Sequence, residues 1–166
     1  RAYDEAKYGW SSSRPFLDCS VQSIIDPDMA PPGKHVLSCF VQYAPYHLKK
    51  KDGTPGNWDE ERDNFGDVVQ RTLGEYFPGF DDLVLQREVV TPLDIERVTG
   101  LTEGNIYAGE LMAPQMYLLR PAPGYADYRT PIAGYYQCGS GTHPGGCLTG
   151  APGMLASQQI LKDLRR

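Results

Sequence analysis

The sequence contains few of the residues that commonly bind metals, and their spacing matches no known metal site. Its three histidines, His35, His47 and His143, lie in separate regions, and its four cysteines include no Cys-x-x-Cys pair. The sequence therefore predicts no metal site. We interpret the cysteines as ordinary buried thiols in a reducing compartment, such as the cytoplasm or the mitochondrial matrix. They stand at positions 19, 39, 138 and 147.

Long apolar runs and basic clusters are also lacking. No run reaches the ~18 apolar residues that a membrane-spanning helix needs. The net charge is −5, and no basic cluster is larger than Lys49-Lys50-Lys51, which we interpret as a solvated loop. A nucleic-acid-binding surface needs a wider basic patch. We therefore expect no nucleic-acid partner and no membrane span.

Glycine and proline are abundant, with 18 and 14 residues, which favours long ordered loops in an α+β fold. Apolar and β-branched residues predict strands over 16–25 and 35–43, joined by the turn residues of 26–34. Such a strand–turn–strand arrangement predicts an antiparallel pair. A further strand is predicted over 83–90. The expected architecture is an antiparallel or mixed sheet with packed helices.

Two helices have clear start signals. Asn57 precedes an apolar face at helical spacing that ends at Pro78-Gly79, and Glu60 follows in a capping-box position. Thr91-Pro92-Leu93-Asp94 starts a shorter helix that stops at Gly100. Residues 111–125 are rich in methionine, leucine and tyrosine but interrupted by prolines. They form a loop that either lines an apolar site or covers the core.

The most informative stretch lies near the end of the chain. The run from Tyr135 to Cys138 predicts a short strand, residues 139–150 hold five glycines, and helix formers fill 154–166. This order brings backbone N–H groups and a helix N-terminus to a phosphate or another electron-rich ligand. The loop nevertheless departs from the phosphate fingerprints, because Cys147 replaces the Walker lysine and Pro144 replaces a dinucleotide-loop glycine. A ligand-facing loop and a tight structural loop both remain open.

A catalytic pair of His143 with Cys138 or Cys147 is disfavoured. No carboxylate within the motif is placed to orient the histidine, and we expect its ring to bond the backbone. The catalytic residues stay unassigned.

Several motifs occur in an order that is specific to one family. They are Cys138-Gly-Ser-Gly-Thr-His-Pro-Gly-Gly146 with Gly150-Ala-Pro-Gly153, and upstream Asp26-Pro27, Ala30-Pro31-Pro32-Gly33, His35, Gln42-Tyr43-x-Pro45-Tyr46, Thr91-Pro92-x-Asp94-x-Glu96, Gly104-Asn105-Ile106 and Arg120-Pro121. Over residues 16–166 the chain resembles the phytoene-desaturase-like FAD-dependent oxidoreductases, which are related to the amine oxidases. Within them it is most similar to the branch of pyridine nucleotide-disulfide oxidoreductase domain-containing proteins.

This resemblance implies a protein about three times as long, with an N-terminal Rossmann-type FAD domain. Residues 1–15 would then be a connector, and residues 16–130 the back part of a substrate domain. Residues 131–166 would be the last strand, glycine loop and C-terminal helix of the FAD-binding domain.

The resemblance also implies roles for particular residues. The cofactor would be lined by Gly139, Ser140, Gly141, Thr142 and Gly146, and the N–H groups near Cys147, Leu148 and Thr149 would meet the flavin pyrimidine carbonyl. An apolar substrate would rest near Met112, Met116, Tyr117 and Leu118. Two departures from the family stand out. Amine oxidases carry an acidic residue where this chain has Ser140, and relatives continue the glycine run where it has Cys147.

The implied activity is hydride transfer from an apolar or amine-like substrate to FAD. We expect the chain alone to be inactive and to bind FAD weakly, because the adenine and pyrophosphate half-site would lie in the N-terminal part. Its partner would be that part or a second copy of the chain, since surfaces covered by a missing domain are apolar. The alternative is a non-catalytic module for self-association or partner binding.

Overall fold

A computed structural model describes residues 1–145 and 148–165 of the chain. The chain divides into two compact units, Arg1–Asp94 and Ile95–Arg166, which are described separately below. Within the described residues there are five α-helices and one two-stranded antiparallel sheet. The predicted α+β class is therefore confirmed, whereas the sheet is smaller than expected and contains no parallel strand among the described residues.

The sheet pairs β1, Phe16–Ser20, with β2, Ser38–Gln42, in antiparallel register. Both strands are shorter than the sequence predicts. After β1 the chain turns into a short 3₁₀-helix, Gln22–Ile24, where the buried Ser23 hydroxyl accepts a hydrogen bond from the Val36 N–H at 3.0 Å. The same hydroxyl lies 3.1 Å from Nδ1 of His35. These side-chain contacts hold the connection between the strands in place of further ladder bonds.

The first unit is built around α2, Trp58–Tyr76. The Asn57 side chain accepts a hydrogen bond from the Asp59 N–H at 3.0 Å, as the sequence predicts. Trp58 and Phe65 are buried with Leu48 in one apolar cluster. A Cβ on Gly66 would lie 2.8 Å from a methyl carbon of Val89, so this helical glycine allows a close approach of the chain.

The predicted strand over 83–90 is wrong. The chain instead forms a short helix α3, Phe80–Leu83, and then runs without a strand partner to residue 90. The Arg87 guanidinium lies 2.8 Å from the Asp67 carboxylate on α2. The β-branched residues of this segment thus face a helix rather than a neighbouring strand, and no ladder can form.

The next helix, α4, spans Pro92–Thr99 and confirms the predicted start. The Thr91 hydroxyl accepts from the Asp94 N–H at 3.2 Å, while the Asp94 carboxylate accepts from the Thr91 N–H at 2.9 Å. This reciprocal arrangement satisfies two backbone donors at the helix start. Arg62 on α2 donates to the same carboxylate at 2.5 Å.

The first fifteen residues contain a helix, α1, Ala2–Lys7, whose Glu5 side chain holds the following serines. The Glu5 carboxylate accepts from the Ser12 hydroxyl at 2.8 Å and from the Ser13 hydroxyl at 2.7 Å. Burial alone would raise the pKa of Glu5. The serine hydrogen bonds and Arg1 outweigh that effect and lower the pKa to about 2.

In the second unit the backbone is largely irregular until α5, Ala151–Leu164. Short 3₁₀ turns cover Thr102–Gly104, Ala113–Gln115 and Tyr117–Leu119. The strand predicted at Tyr135 is reduced to a single bridge between Arg129 and Tyr136, because the chain reverses within a few residues and leaves no room for a ladder.

Helix α5 begins three residues earlier than Met154, where the sequence places it. Gly150 precedes it with a φ of +69°, and Pro152 lies in its first turn, where no intrahelical N–H donor is needed. Over the described parts of the chain, no helix combines the length and apolarity that crossing a bilayer requires.

Candidate functional site

Arg120 anchors the glycine loop, which we define as residues 138–150. Its side chain is buried, with 3% of the residue exposed. The guanidinium donates to the Ser140 carbonyl from Nε at 3.1 Å and from Nη2 at 2.8 Å. It also donates to the carbonyl oxygens of Tyr107 and Gln115. One side chain thus ties the loop to residues 107–115.

Two further contacts fix the conformation of the loop. The buried Tyr128 donates its hydroxyl to the His143 carbonyl at 2.8 Å. Thr142 is 1% exposed, and its hydroxyl donates to the Gly139 carbonyl at 2.9 Å. Burial raises the pKa of Tyr128, so its phenol stays a donor across the physiological pH range. The inner side of the loop is therefore fully engaged with protein.

The outer side of the loop is open. No heavy atom lies within 4 Å of the position that a Cβ on Gly139 would take, and the same holds at Gly150. Ser140 and Leu148 are exposed. A planar ligand can approach such backbone without meeting side chains.

The predicted cofactor-lining residues consequently fall into different settings. Gly139, Ser140, Gly141, Leu148 and Thr149 are exposed or half-buried. Thr142, in contrast, directs its hydroxyl to the backbone, so it shapes the loop rather than presenting a side chain. The predictions for Gly146 and Cys147 lie outside the described residues.

The predicted substrate-lining residues lie on the segment that Arg120 joins to the loop. Tyr117 is 67% exposed, Leu118 78% and Met112 56%, while Met116 is half-buried. The 3₁₀ turn Tyr117–Leu119 leads directly into Arg120. Arg120 therefore connects both predicted sets of residues, and exposed apolar side chains stand beside the glycine loop in the chain.

The charge of Arg120 has no carboxylate against it among the described residues. Each of its hydrogen-bond partners there is a backbone carbonyl oxygen. A buried cation paired only with dipoles keeps much of its field, which acts strongly at low dielectric. The loop above it is accordingly a favourable place for an electron-rich oxygen or a phosphate.

Helix α5 is held by a carboxylate near its end. Asp163 accepts from Arg129 at 2.8 Å and 2.6 Å, and from the Tyr136 hydroxyl at 2.9 Å. The Arg129 hydrogen bonds, opposed by desolvation and helped by Tyr136 and Gln159, hold the pKa of Asp163 well below its usual range. These contacts secure the helix that follows the loop.

His143 and the cysteines show no catalytic arrangement among the described residues. Nδ1 of His143 is buried and has no hydrogen-bond partner there, contrary to the expected bond from the ring to the backbone. Cys138 and Cys19 are exposed and Cys39 is half-buried, so the interpretation of these three as buried thiols is wrong. No group of three metal-binding side chains assembles within the described residues.

Sequence reasoning missed the structural roles of Arg120 and Tyr128. Arg120 entered only as part of a motif, and Tyr128 as one of several core or interface tyrosines. Tyr117 and Tyr128 have positive φ values of 53° and 70°, a backbone conformation that bulky residues rarely adopt. No sequence pattern announces such positions, whereas an arginine inside an otherwise apolar segment was a usable signal.

The class of protein follows from similarities that cover most of the chain. The chain is 31% identical over 148 residues to a protein of the limonene dehydrogenase of Castellaniella defragrans, covering 84% of the chain and 26% of that protein. It is also 31% identical over 143 residues to phytoene desaturase (lycopene-forming) of Pseudescherichia vulneris, covering 85% and 26%. No family model matches the chain. The resemblance to phytoene-desaturase-like oxidoreductases is confirmed.

A higher similarity extends over the whole chain. The rat pyridine nucleotide-disulfide oxidoreductase domain-containing protein 2 is 43% identical over 166 residues, which are 99% of the chain. The match covers 28% of the rat protein, so the chain spans less than a third of the length of this relative. The branch expected from the motifs is the one found.

Proposed function

We propose that this chain forms the glycine-loop part of a longer FAD-dependent oxidoreductase. The observation that carries the proposal is the similarity along the whole chain to a protein named as an oxidoreductase, at 43% identity. The names of the more distant relatives, a dehydrogenase and a desaturase, agree in reaction class. In this proposal residues 131–166 complete an FAD-binding domain, and residues 16–130 belong to a substrate domain.

The chain's own residues would position and polarise. The N–H groups and bare backbone at Gly139, Ser140 and Gly141 fit an electron-rich edge, because their outer side is open and their inner side is fixed by Arg120. The start of α5 adds a partial positive charge next to Leu148 and Thr149. When bound, FAD supplies the hydride-accepting chemistry.

The substrate is proposed to be apolar or amine-like. Met112, Tyr117 and Leu118 are exposed on the segment preceding Arg120 and offer an apolar surface. Such side chains bind by excluding water and carry no group that would select a charged substrate. We place the longer protein in a reducing compartment, the cytoplasm or the mitochondrial matrix.

The proposal is tested by purifying the longer protein that contains this chain. We expect flavin absorbance in the purified sample, or its recovery after FAD is added to apoprotein. A well-folded protein that shows neither would overturn the proposal.

A second measurement concerns the chain by itself. Because the resemblance puts the adenine and pyrophosphate half-site elsewhere, we expect calorimetry to detect no tight FAD binding to the 166-residue chain. Micromolar or tighter affinity would contradict this division of the site.

A second candidate function is a non-catalytic module that self-associates or binds a partner. The observation favouring it is the amount of exposed apolar surface in the second unit, where Leu148, Leu118 and Leu164 are among the most exposed residues. A longer protein without flavin that still forms a defined oligomer would support this candidate over the first.

A further inference from the structure

Two cysteines face each other across the sheet of the first unit. Cys19 on β1 is the direct register partner of Cys39 on β2. Their sulfur atoms lie 3.4 Å apart, and both are free thiols. Direct partners in an antiparallel pair have Cα atoms about 4.5–5.5 Å apart, within the range that a disulfide bridges.

The surroundings of the pair leave it accessible. Cys19 is exposed and Cys39 is half-buried. On the same face of the sheet, the neighbouring register pair is Leu17 with Val41, and Val41 packs against the apolar cluster. The cysteines thus lie one register step along a face that the core already orders, at an edge that a small molecule can reach.

We propose that Cys19 and Cys39 form a reversible thiol–disulfide site that is oxidised by low-molecular-weight disulfides such as oxidised glutathione. The proposal does not depend on the proposed flavin function, because it uses only residues of the sheet. It assigns a modification to a surface far along the sequence from the glycine loop.

The chemistry is a pair of thiol–disulfide exchanges. The Cys19 thiol loses its proton, and its sulfur attacks one sulfur of the small disulfide, breaking that S–S bond and releasing one small thiol. The Cys39 sulfur, after losing its proton, attacks Cys19 and releases the second small thiol. Two protein thiols are oxidised to one disulfide, and one small disulfide is reduced to two thiols.

The two cysteines have different roles in this sequence. Exposure makes Cys19 the site of first attack. Burial and the contact with Cys19 raise the pKa of the Cys39 thiol, so it is protonated at neutral pH and acts second. A mixed disulfide on Cys19 should therefore precede the intramolecular bond.

The experiment uses the 166-residue chain carrying Cys138→Ser and Cys147→Ser, which leaves only the pair. The reduced protein is incubated with oxidised and reduced glutathione, quenched with acid, alkylated and digested with trypsin. Cleavage after Lys7, Lys34 and Lys49 places Cys19 in peptide 8–34 and Cys39 in peptide 35–49. Mass spectrometry then quantifies the linked peptides and the glutathione adduct.

At equilibrium we expect the linked peptides to exceed the Cys19–glutathione adduct by about tenfold or more, because the second thiol is held in place. The Cys39→Ser version should accumulate the adduct on Cys19 instead. The unsubstituted chain, with Cys138 present, should give the 19–39 link selectively, and this selectivity should disappear in urea.

Two results would overturn the proposal. One is a stable adduct on Cys19 with no linked peptide in the folded chain. The other is an equal yield of the 19–39 link in folded and urea-unfolded protein, which would show that the fold does not preorganise the pair.

Discussion

At the scale of single residues, Arg120 contributes most to the shape of the candidate site. Its N–H donors form a planar fork, and the carbonyl oxygens of Tyr107, Gln115 and Ser140 lie around it. A lysine in the same place offers a single ammonium at the end of a flexible stem. It cannot reach all of these carbonyl oxygens at once, so at least one would stay buried without a donor.

We therefore predict that Arg120→Lys lowers the free energy of unfolding of the second unit by about 1–3 kcal/mol. Hydrogen exchange of residues 139–145 should become faster, since their anchor is weakened. Urea unfolding and exchange mass spectrometry provide the measurements. The control is Arg165→Lys, at an exposed arginine of the same unit. Equal behaviour of the two variants would show that Arg120 does not anchor the loop.

Glu5 gives a residue-scale prediction about pH. Its folded pKa of about 2 lies below its ordinary value of 4.5, so the folded state gains stability from the ionised carboxylate. That contribution is fully present above pH 4.5 and is lost as the pH falls toward 2. Glu5→Gln should destabilise the first unit by about 1–2 kcal/mol at pH 7.

The difference between Glu5→Gln and the unsubstituted chain should shrink steadily as the pH falls below 4.5. Urea titrations followed by tryptophan fluorescence measure this, because both tryptophans, Trp10 and Trp58, lie in the first unit. Glu88→Gln, at an exposed glutamate of the same unit, serves as the control. A difference that does not change with pH would contradict the role of the serine hydrogen bonds.

At the scale of elements, the sheet is small and depends on its neighbours. A two-stranded pair alone is marginally stable in water. Here Val41 of β2 packs against the cluster of Leu48, Trp58 and Phe65, which supplies the missing support on one face. The end of the sheet at Cys19 and Cys39 lies beyond that contact, so it is where a covalent link would add most.

Oxidation of this pair should raise the free energy of unfolding of the first unit by about 3 kcal/mol, because the bond closes a loop of roughly 20 residues in the unfolded chain. The Cys138→Ser, Cys147→Ser chain is compared in oxidised and reduced form by urea unfolding with tryptophan fluorescence. Addition of a reductant must return the midpoint to that of the reduced protein. No gain on oxidation would show that the disulfide strains the strands.

Predicting elements from the sequence succeeded where the signal was local. Asn57 and Thr91 both begin helices through their own side chains, as expected. The segment 83–90 failed because β-branched residues favour a strand only if a partner strand is available. The segment after Tyr135 failed similarly, since its only partner among the described residues is Arg129, across a tight reversal.

At the scale of the whole molecule, exposed apolar side chains are frequent in both units. Ile25 is 89% exposed in the first unit and Leu118 is 78% exposed in the second. Apolar surface of this kind is covered in many proteins by another chain or domain. We expect the isolated chain to associate with itself at high concentration.

Size-exclusion chromatography with light scattering should give an average mass above that of the monomer, increasing with concentration. Leu118→Ser should reduce the association if the surface near Arg120 is responsible, and Ile25→Ser is the matched change in the first unit. A monomer at every concentration would contradict the prediction.

The sequence by itself determined the features that depend on neighbouring residues and on motif order. These include the α+β class, the antiparallel pair, the starts of α2 and α4, and the resemblance to phytoene-desaturase-like oxidoreductases. Cap residues, turn residues and hydrophobic periods act over a few positions, so they can be read directly. The proposed cofactor edge came from the same motif order.

Only the tertiary structure decided which distant residues meet. Cys19 and Cys39 are twenty positions apart, and their contact depends on strand register. Arg120 and Ser140 are equally distant, and their contact depends on how irregular segments fold around a buried guanidinium. Both contacts are set by packing and hydrogen-bond satisfaction in three dimensions, which no local pattern encodes.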